Sequence, residues 1–419
     1  MTRIAIIGAG VSGLTAAQML KDRADVVVFE KETNIGGLIR CERINGSLFH
    51  TCGGHVFNTK NEYVLNWFWQ NFNKDKEFHK AERNSVIILP NSKHIPYPIE
   101  NFVYLLDEDT QQSFIQDLLA IATSETKTVD NFQDFLRTRF GNTLYQLYFE
   151  PYNKKIWRRS LADVPIDWLL GKLPMPTVAE MIFNNFNRVA EKQFVHSSFF
   201  YERQNGSQLI ADRLAEGINI RCNTKVEQIE KKGDYYIIND ESFDKVIFCG
   251  NLKDIPNIIK GVNIDNYIQK IGDLQYHGTT TVFCEIDANP YSWIYLPDEK
   301  YMAHRIICTG NFANSNNAND ISSNRITATI EFTDYVDYDS IIKNLKVIPL
   351  NPSYICHKYN PLTYPIQTED TRDMIVSLKQ LLASHGFYLT GRFADWEYYN
   401  MDVAIAASIK TVEQMHHNA

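Results

Sequence analysis

Near its N-terminus the chain carries a stretch that can fold in few ways. Residues 3–31, "RIAIIGAGVSGLTAAQMLKDRADVVVFEK", read as strand, tight turn, helix, strand. Ile4 to Ile7 is a short continuous apolar run, the pattern of a parallel strand buried on both faces. Gly8, Gly10 and Gly13 then form GxGxxG. In that pattern the first glycine permits the turn, the second lets a pyrophosphate approach the backbone, and the third lets the helix pack close to the sheet. The helix N-terminus offers free N–H groups and a positive dipole end to the phosphates. A second strand, Val26 to Phe29, ends at Glu30, whose carboxylate can accept from both hydroxyls of a ribose. Glycines, helix and acid in this order predict a dinucleotide site.

The next residues, "KETNIGGLIR" (31–40), add a second glycine pair, Gly36-Gly37. Glu30 followed by this pair resembles the large FAD-binding family that includes amine oxidases and flavin mutases. The C-terminal stretch "YLTGRFADWEYYNMDVAIAASIKTVEQM" (388–415) fits the same resemblance. Residues 387–391 are expected to form a strand and Met401 onward a helix. Val403, Ile405, Ala406, Ile409 and Val412 supply that helix's apolar stripe. In flavoproteins of this type the last strand and helix return to the N-terminal sheet. The resemblance thereby aims the helix N-terminus at the flavin's pyrimidine end, where negative charge gathers on reduction.

A chain of 419 residues exceeds one hydrophobic core, so several substructures are expected. The resemblance and the patterns together imply an α/β protein with a Rossmann-like FAD-binding domain, an inserted helical domain and an antiparallel β-sheet substrate domain. Residues 1–80, 193–264 and 371–419 are assigned to the FAD-binding domain, 99–192 to the helical insertion, and 81–98 with 265–370 to the sheet. Within these, Asn61 is an available helix cap, Val86–Leu89 and His94–Ile95 read as a hairpin, and Val129–Phe140 reads as a helix. A net charge of −8 without a basic tract argues against a nucleic-acid partner. Seven scattered cysteines, none in a CxxC pair, argue against a metal site and against a disulfide framework. No apolar run approaches the roughly 18 residues a membrane helix needs, and the expected location is cytoplasmic.

Further segments sharpen the resemblance. They are "CGGHVFNT" (52–59), "EPYNKKIW" (150–157), "WIYLPDEKYMAHRIICTGNFA" (293–313), "TYPI" (363–366) and "GRFADWEYYNMD" (391–402). Together they resemble the UDP-galactopyranose mutase family over nearly the whole chain. The resemblance implies a flavin-dependent, non-redox isomerase that interconverts UDP-galactopyranose, or a close UDP-hexose, and its furanose form. In that family N5 of reduced FAD attacks the anomeric carbon, giving a flavin–sugar adduct as UDP leaves. A reductant for the flavin, a homodimer and a place in surface polysaccharide biosynthesis are implied with it.

The same resemblance assigns residues. Arg305 would hold the diphosphate, and a fork of donors suits that group. Lys172 in "GKLPMP" takes the place of a mobile-loop arginine and keeps charge without bidentate geometry. Tyr364 and Tyr398 would donate to the same phosphates. Trp157 and Asn153 would meet the sugar, and Tyr97 the uracil end. Glu100, beside it, stands where the family favours glutamine. Gly54 and His55 would lie against the flavin, with His55 near N5. Gly37, Arg392, Asn400, Met401 and Asp402 complete the cofactor set, and Asn400 replaces an aspartate of the bacterial pattern. The competing reading is an FAD-dependent oxidoreductase of the amine-oxidase or protoporphyrinogen-oxidase type. It shares the glycine motifs and Glu30 but does not need Arg305, Tyr364 or the PYNxxxW segment. A catalytically silent flavin-fold protein is the third.

Overall fold

The computed structural model describes residues 1–124, 129–166, 176–189 and 198–417. Its first layer is a five-stranded sheet in the order Phe387–Leu389, Lys245–Phe248, Arg3–Ile7, Asp25–Phe29, Asn219–Arg221. All four pairings are parallel. Side chains alternate between the two faces. Ile4, Ile6, Val26 and Val28 join one apolar cluster with helices Val11–Leu20 and Met401–His417, and Ala5, Val27 and Phe29 join another. Burial on both faces is why these strands read as unbroken apolar runs.

The last strand and helix therefore do return to the N-terminal sheet. The strand stops at Leu389, short of the expected 391, because Gly391 takes a left-handed φ of 112°. The helix buries Ile405, Ile409, Val412 and Met415. Val403 is instead exposed, since its place two residues before Ile405 turns it to the opposite side of a 3.6-residue spiral.

The second layer is a seven-stranded mixed sheet. Its order is Ser353–Ile366, Gln275–Asp287, Arg325–Thr333, Arg305–Ile307, Trp293–Tyr295, Ser85–Ile88, His94–Pro96. The last two strands are the expected hairpin. In strand 325–333 the sequence RITATIEFT alternates strictly. Ile326, Ala328, Ile330 and Phe332 enter an apolar cluster, while Thr327, Thr329, Glu331 and Thr333 occupy the other face, also buried. A carboxylate placed there needs partners.

Against the face of Ile307, Trp293 and Tyr295 pack helices Glu108–Thr123, Phe132–Leu144, Glu150–Trp157 and Val178–Phe186. The helix expected over 129–140 starts at Phe132 because Asn131 caps it, its side chain accepting from the Asp134 N–H. Lys155 fastens the Glu150–Trp157 helix to the sheet, donating to the carbonyls of Leu296 and Asp298 at 2.6 Å each. No described helix is long and apolar enough to cross a membrane.

Candidate active site

A cavity of about 790 Å³ opens at the C-terminal ends of the parallel strands. Gly8, Gly10, Gly13, Glu30, Gly37, His55, Arg392, Asn400 and Met401 line it together. The glycines are there for steric reasons. A Cβ on Gly13 would stand 2.0 Å from the Gly8 carbonyl oxygen, so only glycine lets this helix approach its strand. The two glycine motifs also meet each other. Gly36 donates to the Ala9 carbonyl at 2.8 Å, and a Cβ on Gly37 would reach the Gly10 Cα at 3.2 Å.

Glu30 is pinned at the cavity wall. Its Oε2 accepts from the Ala9 N–H at 2.7 Å and its Oε1 from the Glu32 N–H at 2.9 Å. Asn400, Met401 and Ala404 bring the first turn of the terminal helix to the same wall. The Ala404 N–H donates to the Asn400 carbonyl, which makes Asn400 the residue that opens this helix. Asp402 stands one residue inside it, and neither Asp402 nor Gly54 touches the cavity. A Cβ on Gly54 would meet Ile307 at 2.7 Å and Trp293 at 3.2 Å, so that glycine serves the packing of the GGH turn against the sheet.

His55 faces the cavity with a buried Nε2 that has no hydrogen-bond partner. Burial first, and the Arg392 charge second, hold its imidazole down to about 3, so the ring is neutral. An unpartnered ring nitrogen, a backbone-pinned carboxylate and two helix N-termini on one wall suit a dinucleotide cofactor.

Beside this cavity lies a polar cluster inside the protein. Arg305 and Glu331 are register partners on adjacent antiparallel strands, and the Arg305 Nε donates to the Glu331 Oε2. Arg305 Nη2 donates to the Tyr364 hydroxyl at 3.3 Å. The Tyr364 ring stacks on Tyr398, with centroids 5.5 Å apart and planes within 3°. Tyr398 in turn carries the Arg392 guanidinium over its ring at 4.7 Å. Burial opposes ionisation of Glu331, but the charge of Arg305 together with the contacts of His304 outweighs it and holds that carboxyl well below the usual range. The second Glu331 oxygen accepts from the Gly53 N–H at 2.7 Å, which ties the GGH turn to Arg305.

Trp157 reaches the same cluster, meeting Tyr398 across a void of about 10 Å³. Tyr97 stands farther along an aromatic row. Its ring lies 5.1 Å from Tyr295, which is 5.4 Å from Tyr152. Asn153 turns its amide back to the carbonyl of Phe149, the residue that precedes its helix, at 2.7 Å. Lys172 lies outside the described residues. Glu100 is buried, and burial pushes its carboxyl up to about 7.

Four residues of this region were not singled out as site residues in the sequence: Glu331, Tyr295, Tyr152 and Arg83. Arg83 donates to the Tyr295 hydroxyl at 2.8 Å and lies over the Tyr97 ring at 5.3 Å. Tyr152 and Tyr295 were inside quoted motifs. Glu331 had one signal, an acid in the interior of an apolar and threonine strand.

Comparison with known proteins adds three findings. Residues 6–72 match the model of an NAD(P)-binding Rossmann-like domain. The chain is 23% identical to a UDP-galactopyranose mutase of Mycoplasma genitalium, over 98% of this chain and 94% of that one. It is also 23% identical to a dTDP-fucopyranose mutase of Escherichia coli, over 99% and 98%. In three dimensions it superposes on the crystal structure of a reduced UDP-galactopyranose mutase with a TM-score of 0.87, at 18% identity and covering 100% and 96%. A putative protoporphyrinogen oxidase from Exiguobacterium gives 0.77 at 15% identity, covering 100% and 99%. The likeness to sugar-nucleotide mutases thus runs the length of the chain, while the fold is shared with oxidases.

Proposed function

We propose that the protein is an FAD-dependent mutase that interconverts the pyranose and furanose forms of a nucleoside-diphosphate hexose, UDP-galactopyranose or a close relative. The observation that carries this reading is the Arg305–Tyr364–Tyr398 cluster beside a dinucleotide cavity. A buried cation held by a carboxylate and flanked by stacked phenols suits a diphosphate, and an oxidase has no need of it. The full-length likeness to named mutases supports the same reading.

Bound in its reduced state, the flavin supplies an electron-rich N5 as nucleophile for the anomeric carbon. The chain does the rest. Gly8, Gly10, Gly13 and Gly37 bring backbone to the pyrophosphate, and Glu30 takes the ribose hydroxyls. Arg392, Asn400 and Met401 face the ring system, with Gly54 and Asp402 supporting them from behind. His55 presents a neutral ring nitrogen. Arg305 has Nε on Glu331 and Nη2 on Tyr364. It binds the diphosphate with Tyr364 and Tyr398 and stabilises the charge that grows on it as it departs. Lys172 adds a second cation. Trp157 covers the sugar, Asn153 lies beside it, and Tyr97 meets the base.

The test is an assay of the reduced and the oxidised protein on UDP-galactopyranose, with a panel of UDP-hexoses and dTDP-fucopyranose, read by chromatography. A furanose product formed only after reduction is expected. Steady oxygen consumption with an amine or an apolar substrate, and no furanose, would point to the oxidoreductase instead. The proposed role is the supply of furanose sugars for surface polysaccharide.

A further inference from the structure

Trp157 is the last residue of its helix, and the chain leaves through Arg158 in a left-handed conformation with φ of 50°. The final carbonyls of a helix have no donor within it. Here the Trp157 carbonyl accepts from Nε2 of His277, at 2.9 Å. The other ring nitrogen, Nδ1, lies 2.9 and 3.1 Å from the two carboxylate oxygens of Asp334. A carbonyl and a carboxylate can only accept, so the imidazole lies between two acceptors, with Nε2 donating to Trp157 and Nδ1 facing Asp334. The ring thereby satisfies one of the orphan carbonyls at the helix end.

The backbone of His277 reaches a second part of the cluster. His277 is the ladder partner of Tyr364, and the register slips directly after it. Its carbonyl accepts from Thr363 Oγ1 at 2.9 Å, and the Thr363 carbonyl accepts from Arg392 Nη1 at 3.1 Å. Asp334 is itself fixed, its Oδ1 accepting from the Gly278 N–H at 3.0 Å. From the helix end, Arg158 donates to the Thr333 carbonyl at 2.9 Å and Arg159 to Gln275 at 2.6 Å.

We propose that His277 is a positioning residue: a hydrogen-bonded clip, held by Asp334, that sets Trp157 against the strand bearing Tyr364. The clip rests on the mutase reading for its effect on turnover, but not for its existence. Its side chain is about 15% exposed and does not line the cavity, so it acts through Trp157 and Tyr364.

The experiment uses the flavin-loaded full chain and two variants. In His277→Asn the amide sits near the Nδ1 position and can still face Asp334, but it does not reach Trp157. In His277→Gln the amide nitrogen sits near the Nε2 position and can still donate to the Trp157 carbonyl. We expect His277→Asn to lower kcat about tenfold or more while UDP affinity by calorimetry stays within about threefold, and His277→Gln to restore kcat to within about threefold of the parent. Equal losses in both variants, or an unaffected His277→Asn, overturn the proposal. Nitrogen NMR of the parent's His277 ring gives a readout independent of turnover. A proton on Nε2 supports the clip, and a bare Nε2 overturns it even if His277→Asn fails to fold. A parent protein with no activity on any sugar nucleotide overturns the mutase reading alone.

Discussion

Arg305 and Glu331 face each other across neighbouring strands, and Glu331 spends its second oxygen on the backbone of Gly53. One buried carboxylate therefore sets both the guanidinium of the polar cluster and the turn that carries His55. Replacing Glu331 by Gln leaves Arg305 without its counter-charge. Breaking a buried pair in this way costs about 3–5 kcal/mol. Urea unfolding of Glu331→Gln is expected to show a loss of that order, and an unchanged midpoint would mean that the pair is solvated.

Arg305→Ala tests the diphosphate directly. Loss of a desolvated charge-assisted contact is expected to weaken UDP binding by roughly 2–4 kcal/mol. Calorimetry with UDP measures this, and parent-like affinity would place the diphosphate elsewhere.

Trp157→Ala should separate the sugar from the nucleotide. Turnover is expected to fall about tenfold or more, with UDP affinity nearly unchanged, because the indole meets Tyr398 and the proposed sugar side. Equal loss of both would remove Trp157 from the sugar.

Glu30→Gln should weaken the cofactor. The carboxylate accepts two backbone N–H groups, and an amide can satisfy only one of them through its oxygen. Losing the proposed charge-assisted contact to the ribose hydroxyls as well costs roughly 1.5–3 kcal/mol, which flavin fluorescence titration of the apoprotein would read as a tenfold or greater drop in affinity. Undiminished flavin retention would argue against a ribose contact.

Glu100 gives a pH prediction. Its carboxyl is raised from 4.5 to about 7 by burial. A raised carboxyl keeps its proton in the folded protein after the unfolded chain has lost it. Stability is therefore intact below about pH 4.5 and falls as pH rises toward 7, by about 3 kcal/mol in all. Glu100→Gln should flatten that slope and melt higher than the parent at pH 8, with no gain at pH 4. Parallel melting curves across that range would show that Glu100 is hydrated.

What the sequence revealed tracks the range of the interactions. The glycine turn and the Asn61 cap were legible because each depends on neighbours a few residues away, and Glu30 because it closes a strand–turn–helix–strand unit of fixed spacing. The Asn61 side chain does accept from the Tyr63 and Val64 N–H groups. Arg305, Tyr364, Tyr398 and Trp157 were found only through resemblance to a family, and the structure brings them into one cluster. Glu331 shows in the sequence only as an acid inside an apolar strand, because its meaning lies in its pairing with Arg305, 26 residues away. Val403 misled because it is apolar like the stripe's residues, while its position two residues before Ile405 sets it on the opposite side of the helix. His277 gave no signal at all, since its partners Trp157 and Asp334 stand 120 and 57 residues away.

The cavity wall draws on residues from Ile7 to Ala404, and the parallel sheet gains its edge strand only at Phe387. A ribosome making this chain must release it through Ala404 before the cradle can close. The proposed flavin would then be bound only after Ala404 has emerged, and a chain cut short before that last strand is expected to be colourless however well its opening glycine turn has folded.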